Sequence, residues 1–253
     1  MPTTRLEELT DGVALLTLTD PERRNALGRQ MSAELTAHCR DLYTDASVRA
    51  LVVAGEGPAF CAGADLPVLF GDPDRPVTEV HDDLRDYYGL FLAVRALPCP
   101  TIAAVGGPAV GAGLNLAMAC DLRVAGPAAA FGATFAGIGL HPGGGATWFL
   151  VQALGPGRAL RTLLLGETID ADRAVTWGLA DGPEPDPVEA AVALATRFAA
   201  VDPALARQIK RGVGIAVETG DLRAVMEYET WAQAASASSP QLQAWVDRFR
   251  TQP

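Results

Sequence analysis

The chain has 253 residues, 49% of them apolar, and carries a formal charge of −10 from 20 basic and 30 acidic side chains. That length suits one large α/β domain with a small helical appendage, and it can bury a sizeable core. The acidic balance, with Lys210 the single lysine, argues against nucleic acid, whose binding relies on clustered Lys and Arg. No apolar run approaches the roughly 18–20 residues of a membrane span.

Alternating apolar residues in Val13–Leu18 predict a half-buried strand. Asp20-Pro21 opens a loop, and residues 28–43 carry helical spacing at Met31, Leu35, Cys39 and Leu42. Residues 50–54 form a short apolar run ended by Gly55 and Gly57, the pattern of a buried parallel strand. Thr101–Val105 and Leu122–Ala125 repeat it, closed by Gly106-Gly107-Pro108 and by Gly126-Pro127. Helical segments fall between the strands at 77–97 and 113–120, so the alternation implies right-handed crossovers around a parallel sheet. After about residue 145 the strand signals fade. Residues 146–154, 157–165, 170–178, 187–200, 203–218, 221–235 and 240–249 all read as helices, several opened by proline or an acidic residue. The segment 181–187 (Asp-Gly-Pro-Glu-Pro-Asp-Pro) reads as the linker, which divides the chain into a core over 1–186 and a helical region over 187–253.

Cys39, Cys61, Cys99 and Cys120 form no Cys-x-x-Cys pair, and His38, His81 and His141 no His-x-x-x-His pair, so neither a metal site nor a disulfide framework is supported. The start of the chain lacks the basic residues and apolar run of a secretory signal. A soluble cytoplasmic protein is expected.

Two glycine-rich turns follow strand signals and open into helices. The first is Phe60-Cys61-Ala62-Gly63-Ala64-Asp65-Leu66 and the second runs from Gly106 through Gly111-Ala112-Gly113 to Ala117. Small residues let a ligand approach the backbone closely, and a following helix directs unpaired N–H groups and a positive dipole at it. Either turn alone is ordinary strand-to-helix punctuation. Neither contains Gly-x-x-x-x-Gly-Lys-[Ser/Thr], and Leu116 stands where a Gly-x-Gly-x-x-Gly motif would end.

Taken together, these turns belong to a longer order of motifs. Pro21-Glu22-Arg23-Arg24-Asn25-Ala26-Leu27 precedes the first, and the second runs on through Asn115 to Cys120-Asp121. Phe131-Gly132, Pro142-Gly143-Gly144-Gly145, residues 165–171 and Trp177-Gly178-Leu179-Ala180 follow. That order resembles the crotonase (enoyl-CoA hydratase/isomerase) superfamily over roughly residues 5–250. The resemblance implies a spiral of ββα turns, a helical C-terminal region used for trimerisation, and a homotrimer or a hexamer made of two trimers. It implies a coenzyme A thioester as substrate or ligand, with no further cofactor.

On residue-by-residue matching, the amides of an oxyanion hole fall at Ala64 and Ala112. Ala62, Gly63, Asp65 and Leu66 line the coenzyme A arm with Gly111 on the facing turn, and Arg24 and Ala26 sit where the nucleotide end passes. Ala112 replaces the family's usual middle glycine, which keeps the N–H provided that the backbone there suits a Cβ.

The pattern breaks at the acid–base pair. Hydratases of this family use two glutamates, and here their positions hold Asn115 and Phe135. Asparagine can hold a water but cannot take its proton, and phenylalanine can do neither. His141, before the Gly143-Gly144-Gly145 turn, is the alternative proton carrier, and otherwise it merely caps that loop. His81, Asp82 and Asp83 begin the helix that flanks the acyl pocket, and Trp148 and Phe149 are expected in the core beside it. Three readings therefore stand. They are a family enzyme with altered chemistry, a crotonase-type hydrolase, decarboxylase or C–C bond enzyme using His141, and a non-catalytic acyl-CoA binder.

Overall fold

The computed structural model describes residues 1–10 and 12–250. Its larger sheet is built from β1 (Thr4–Glu8), β2 (Val13–Leu18), β3 (Ala50–Gly55), β4 (Thr101–Val105) and, after the short β5 (Pro108–Val110), β6 (Leu122–Ala125), in the order β1-β2-β3-β4-β6. Only β1 runs antiparallel to its neighbour. A second sheet of three residues per strand joins β5, β7 (Ala130–Gly132) and β8 (Thr168–Asp170). Successive turns of chain thus give one strand to each sheet, β4 then β5, β6 then β7. Isolated bridges extend the second stack, Cys61 to Ala109 and Leu27 to Ala64. This is the expected spiral.

The central strands bury both faces, which is why they read as continuous apolar runs. Leu51 and Val53 point with Ala103 and Val105 into the main core, while Ala50, Val52, Ala54, Ile102 and Ala104 point the other way. The main core is covered by α1 (Arg29–Thr44), with α2 (Leu66–Phe70), α3 (Val77–Arg95), α4 (Ala112–Ala119), α5 (Ala146–Leu165) and α6 (Ala171–Thr176) following in chain order. The opposite face is closed by α7 (Pro187–Ala199). Its Ala191, Ala195 and Ala199 recur every four residues and seat one small-residue stripe on the strands.

Several sequence expectations change. The helix α7 packs with the sheet, so the chain divides into compact units Met1–Ala200 and Val201–Pro253 where 1–186 and 187–253 had been expected. Segment 181–187 is no free linker. Asp181 and Glu184 exchange backbone hydrogen bonds with Arg123 and Ala125, so the segment lies along the otherwise open edge of β6. The helices expected at 146–154 and 157–165 are the two halves of α5, broken at Gly155 (φ 75°, ψ 163°) before Pro156. The strand β8 was hidden because three residues carry no readable period. Phe149 is buried, but Trp148 is 37% exposed beneath the Arg95 guanidinium, 4.5 Å from the ring centre.

The second unit holds α8 (Pro203–Thr219), α9 (Leu222–Ser236) and α10 (Pro240–Arg250). None of the three has a buried residue, and Ile209, Val213, Leu222, Met226, Trp231 and Phe249 are all exposed.

Candidate active site

The first glycine-rich turn is stitched to its neighbours on two sides. Cys61 N–H donates to Pro108 O at 3.1 Å and Val110 N–H to Cys61 O at 3.0 Å. Leu27 N–H donates to Gly63 O at 2.8 Å and Ala62 N–H to Arg24 O at 2.9 Å. Gly63 has φ +107°, and a Cβ there would stand 2.7 Å from Val110 O, so both the torsion and the close approach require glycine. The same Cβ would lie 3.7 Å from the amide nitrogen of Ala112. The two turns therefore meet.

The second turn reverses at Gly111 (φ 54°, ψ −113°), whose N–H donates to Gly132 O at 2.9 Å. Ala112 follows as the first residue of α4 and is not among the positive-φ residues, so its Cβ is accommodated. A Cβ on Gly113 would collide with the Cys61 carbonyl, so the start of α4 rests directly on the first turn. As a first-turn helical amide, Ala112 N–H has no carbonyl four residues back to receive it, and the helix dipole adds to its field. No acceptor among the described residues takes the Ala64 N–H. Beneath both turns, burial pushes the Cys61 thiol up to about 12, against the smaller opposing effect of the Gly63 and Leu27 amides, so it stays neutral.

The residues expected to line the coenzyme A arm form the outer rim. Arg24, Ala62 and Leu66 are exposed, and Ala26, Ala64 and Asp65 are half-buried. The Asp65 carboxylate is already engaged. It caps α2 through Val68 N–H at 3.4 Å and pairs with Arg23 at 2.5 Å. Holding this rim is Asn25, fully buried at φ 57°, a role the sequence did not disclose. Its side chain accepts from Asp20 N–H and donates to the Glu56 and Ala59 carbonyls, each at 2.9 Å. Two successive left-handed residues, Arg24 and Asn25, let the loop turn back over the next strand's exit.

On the inner side, Asn115 is 2% exposed and donates Nδ2 to Gly143 O at 2.8 Å, while its Oδ1 is buried without a hydrogen-bond partner. Phe135 is buried, and its ring edge lies 3.9 Å from where a Gly111 Cβ would be. His141 is exposed and donates Nδ1–H to Pro142 O at 2.8 Å. A carbonyl can only accept, so the neutral ring keeps its lone pair on Nε2. His81 is exposed and, among the described residues, meets its neighbour Asp82 at 3.1 Å. Tyr88, on α3, was not singled out from the sequence because no motif surrounds it. Its hydroxyl abuts Gly143, and the Gly144 N–H faces it. Burial raises the phenol above its ordinary value, opposed by that amide.

A spiral that brings two glycine turns into contact defines the class of protein, and the known proteins that the chain matches agree. The sequence profile of the enoyl-CoA hydratase/isomerase family matches residues 8–250. A Mycobacterium tuberculosis protein named probable enoyl-CoA hydratase EchA14 is 47% identical over 240 residues, 92% of this chain and 91% of its own length. The Escherichia coli 1,2-epoxyphenylacetyl-CoA isomerase is 37% identical over 175 residues, 69% of this chain and 67% of its own. The crystal structure of an enoyl-CoA hydratase from Bacillus anthracis superposes with a TM-score of 0.89 at 28% identity, covering 97% of this chain and 96% of that one. The chain belongs to the enoyl-CoA hydratase/isomerase family, the crotonase superfamily.

Proposed function

We propose that this protein binds an acyl-CoA thioester with the carbonyl oxygen between the N–H groups of Ala64 and Ala112, and stabilises the enolate or tetrahedral oxyanion formed there. The observation that carries this reading is the meeting of the two turns at Gly63 and Ala112. Two amides aimed at one oxygen act most strongly where charge develops, and removing one such donor typically costs about 100–1,000-fold in rate. The coenzyme A arm runs over Ala62, Gly63, Asp65 and Leu66, and its nucleotide end passes Arg24 and Ala26. No further cofactor is called for. Two-glutamate hydration has no place in this reading. The Asn115 amide cannot take a proton from water, and the Phe135 ring cannot hold one. The lyase or isomerase chemistry of the family is therefore weak or altered here.

The test is titration with butyryl-CoA, alongside hydration of crotonyl-CoA measured against a two-glutamate hydratase. Micromolar binding with hydration at least about 1,000-fold slower is expected, since positioned acid–base groups contribute roughly 100–10,000-fold. Rapid hydration would remove the argument from Asn115 and Phe135, and absence of any acyl-CoA binding would remove the hole.

A second reading rests on the His141 ring, whose Nδ1–H is fixed on Pro142 O and whose Nε2 is left to accept a proton. In that case a panel of thioesters offered for hydrolysis, decarboxylation or C–C cleavage gives turnover that His141→Ala abolishes. Tight binding with no turnover across the panel would instead leave a non-catalytic acyl-CoA binder.

The assembly belongs to the same proposal. Exposed apolar side chains on α8, α9 and α10 fit burial between copies in a homotrimer, or in a hexamer made of two trimers, and light scattering gives the mass directly. Four buried free cysteines fit a reducing cytoplasmic compartment. No helix among the described residues is long and apolar enough to cross a membrane.

A further inference from the structure

The Ala64 amide is aimed from behind. Gly63 O and the Ala64 N–H belong to one planar trans peptide and leave it from opposite edges. Leu27 N–H donates to that oxygen at 2.8 Å, so the Ala64 N–H is directed away from Leu27. Leu27 and Ala64 also pair as an isolated parallel bridge, which keeps the two backbones side by side. Whatever holds Leu27 therefore sets the direction of the Ala64 amide.

Leu27 is gripped at its other peptide group by a side chain. The Tyr87 hydroxyl, on α3, donates to Leu27 O at 3.3 Å. Gly28 comes next and has no Cβ to stiffen the chain before α1 begins, so a hold from outside is useful here. The Tyr87 ring is itself well placed. It meets Phe91 edge-on, with centroids 5.9 Å apart at 90°, and lies 6.1 Å from the Tyr88 ring. Burial raises the phenol above its ordinary value, and the nearby Cys61, Tyr88 and Asp65 add to the rise. The hydroxyl therefore keeps the proton that it donates. Cys61 and Asp65 lie toward the two ends of the first turn, so Tyr87 stands against that turn as well as under Leu27.

We propose that Tyr87 is a positioning residue for the Ala64 amide. Its hydroxyl holds the Leu27 carbonyl, the Leu27 N–H holds the Gly63 carbonyl, and the Ala64 N–H is thereby fixed on the oxygen of the bound thioester. This rests on the thioester-binding reading above. A hydrogen bond weakens as it bends, and the loss is greatest where the acceptor carries most charge. Tyr87 therefore matters more to an enolate than to the uncharged thioester from which it forms.

The probe is acetoacetyl-CoA, a 3-oxoacyl thioester whose keto and enolate forms differ in near-ultraviolet absorbance. The enolate-to-keto ratio of the bound probe is read at one fixed pH for the native protein and for Tyr87→Phe, and butyryl-CoA is titrated calorimetrically into both. Tyr87→Phe keeps the ring against Phe91 and removes the hydroxyl, and a thermal melt checks that the variant is folded. In the native protein the ratio should exceed that of the free probe. In Tyr87→Phe it should fall about three- to tenfold, the effect of roughly one net hydrogen bond, while butyryl-CoA affinity stays within about twofold. Tyr87→Met, apolar and adaptable in shape, should give the same fall. An unchanged ratio in either folded variant overturns the proposal and leaves the hole intact. A butyryl-CoA affinity that falls as far as the ratio reduces Tyr87 to packing and overturns it too. If the native protein binds neither ligand, or does not raise the ratio above that of the free probe, the thioester reading fails and this proposal with it.

Discussion

The two glycine turns are held in place by different means. The second is carried by α4, whose eight residues are all buried, and its left-handed residue Gly111 stands outside the helix that follows. The first is a loop whose next helix, α2, has five residues and no buried side chain. It keeps its shape through backbone stitching to Leu27, Arg24 and β5, and behind that through the three hydrogen bonds of Asn25. One turn is rigid because it is packed and the other because it is tied. Packed positions fail by collision, whereas tied positions fail by the loss of a partner.

The contrast can be broken most severely at the contact between the turns. Gly113→Ala drives a Cβ into the Cys61 carbonyl, a backbone atom that cannot swing aside. Overpacking of that kind costs about 3 kcal/mol, and a melt lowered by about 6–12 °C is expected with acyl-CoA binding lost. Gly63→Ala forces an L side chain to φ +107° beside Val110 O, which shifts the tied turn without removing core. Loss of about 100–1,000-fold in whichever turnover the thioester panel detects is expected, with a smaller change in the melt. Asn25→Ala leaves two carbonyls and one N–H without their partner. About 2–3 kcal/mol of stability should go, and calorimetry should show acyl-CoA affinity falling as the rim loosens. The smallest effect belongs to Ala112→Gly. The N–H is retained and the backbone there is already ordinary, so affinity should stay within about threefold and stability fall by no more than about 1 kcal/mol. A large loss of affinity in this last variant would mean that the Ala112 methyl, and not its amide, meets the ligand.

How much of this was legible in the sequence follows the same division. Apolar runs announce strands, and Thr101–Val105 and Leu122–Ala125 fall where theirs lie. Val13–Leu18 also falls in place, but it is buried on both faces where alternation predicted a half-buried strand. The strand β1 is not announced, because only Thr4 of Thr4–Glu8 is buried and an edge strand with polar side chains has no distinctive pattern. The short strands β5, β7 and β8 exist through pairing between distant segments, which no local window contains. At the site, the glycine turns and the positions of Asn115 and Phe135 were readable because motif spacing locates them. The work of Asn25 was not, since its three partners lie 5 to 34 residues away in the chain. Tyr88 escaped for a related reason. On a helix of period 3.6 it looks like one more aromatic on an inward face beside Tyr87 and Phe91, and only the fold brings Gly143 against its hydroxyl.

Phe135 has a further consequence for the proposed site. Its ring, 8% exposed, lies beside Gly111, next to the residue whose amide is assigned to the oxyanion. An aromatic wall there polarises little and keeps solvent at a distance, so the local dielectric falls and the field of a nearby N–H dipole is less screened. Under the proposed thioester reading, the ring that stands where the resemblance expects a proton carrier would strengthen the grip on negative charge. On that reading the site would hold an anion for longer and admit little water to quench it.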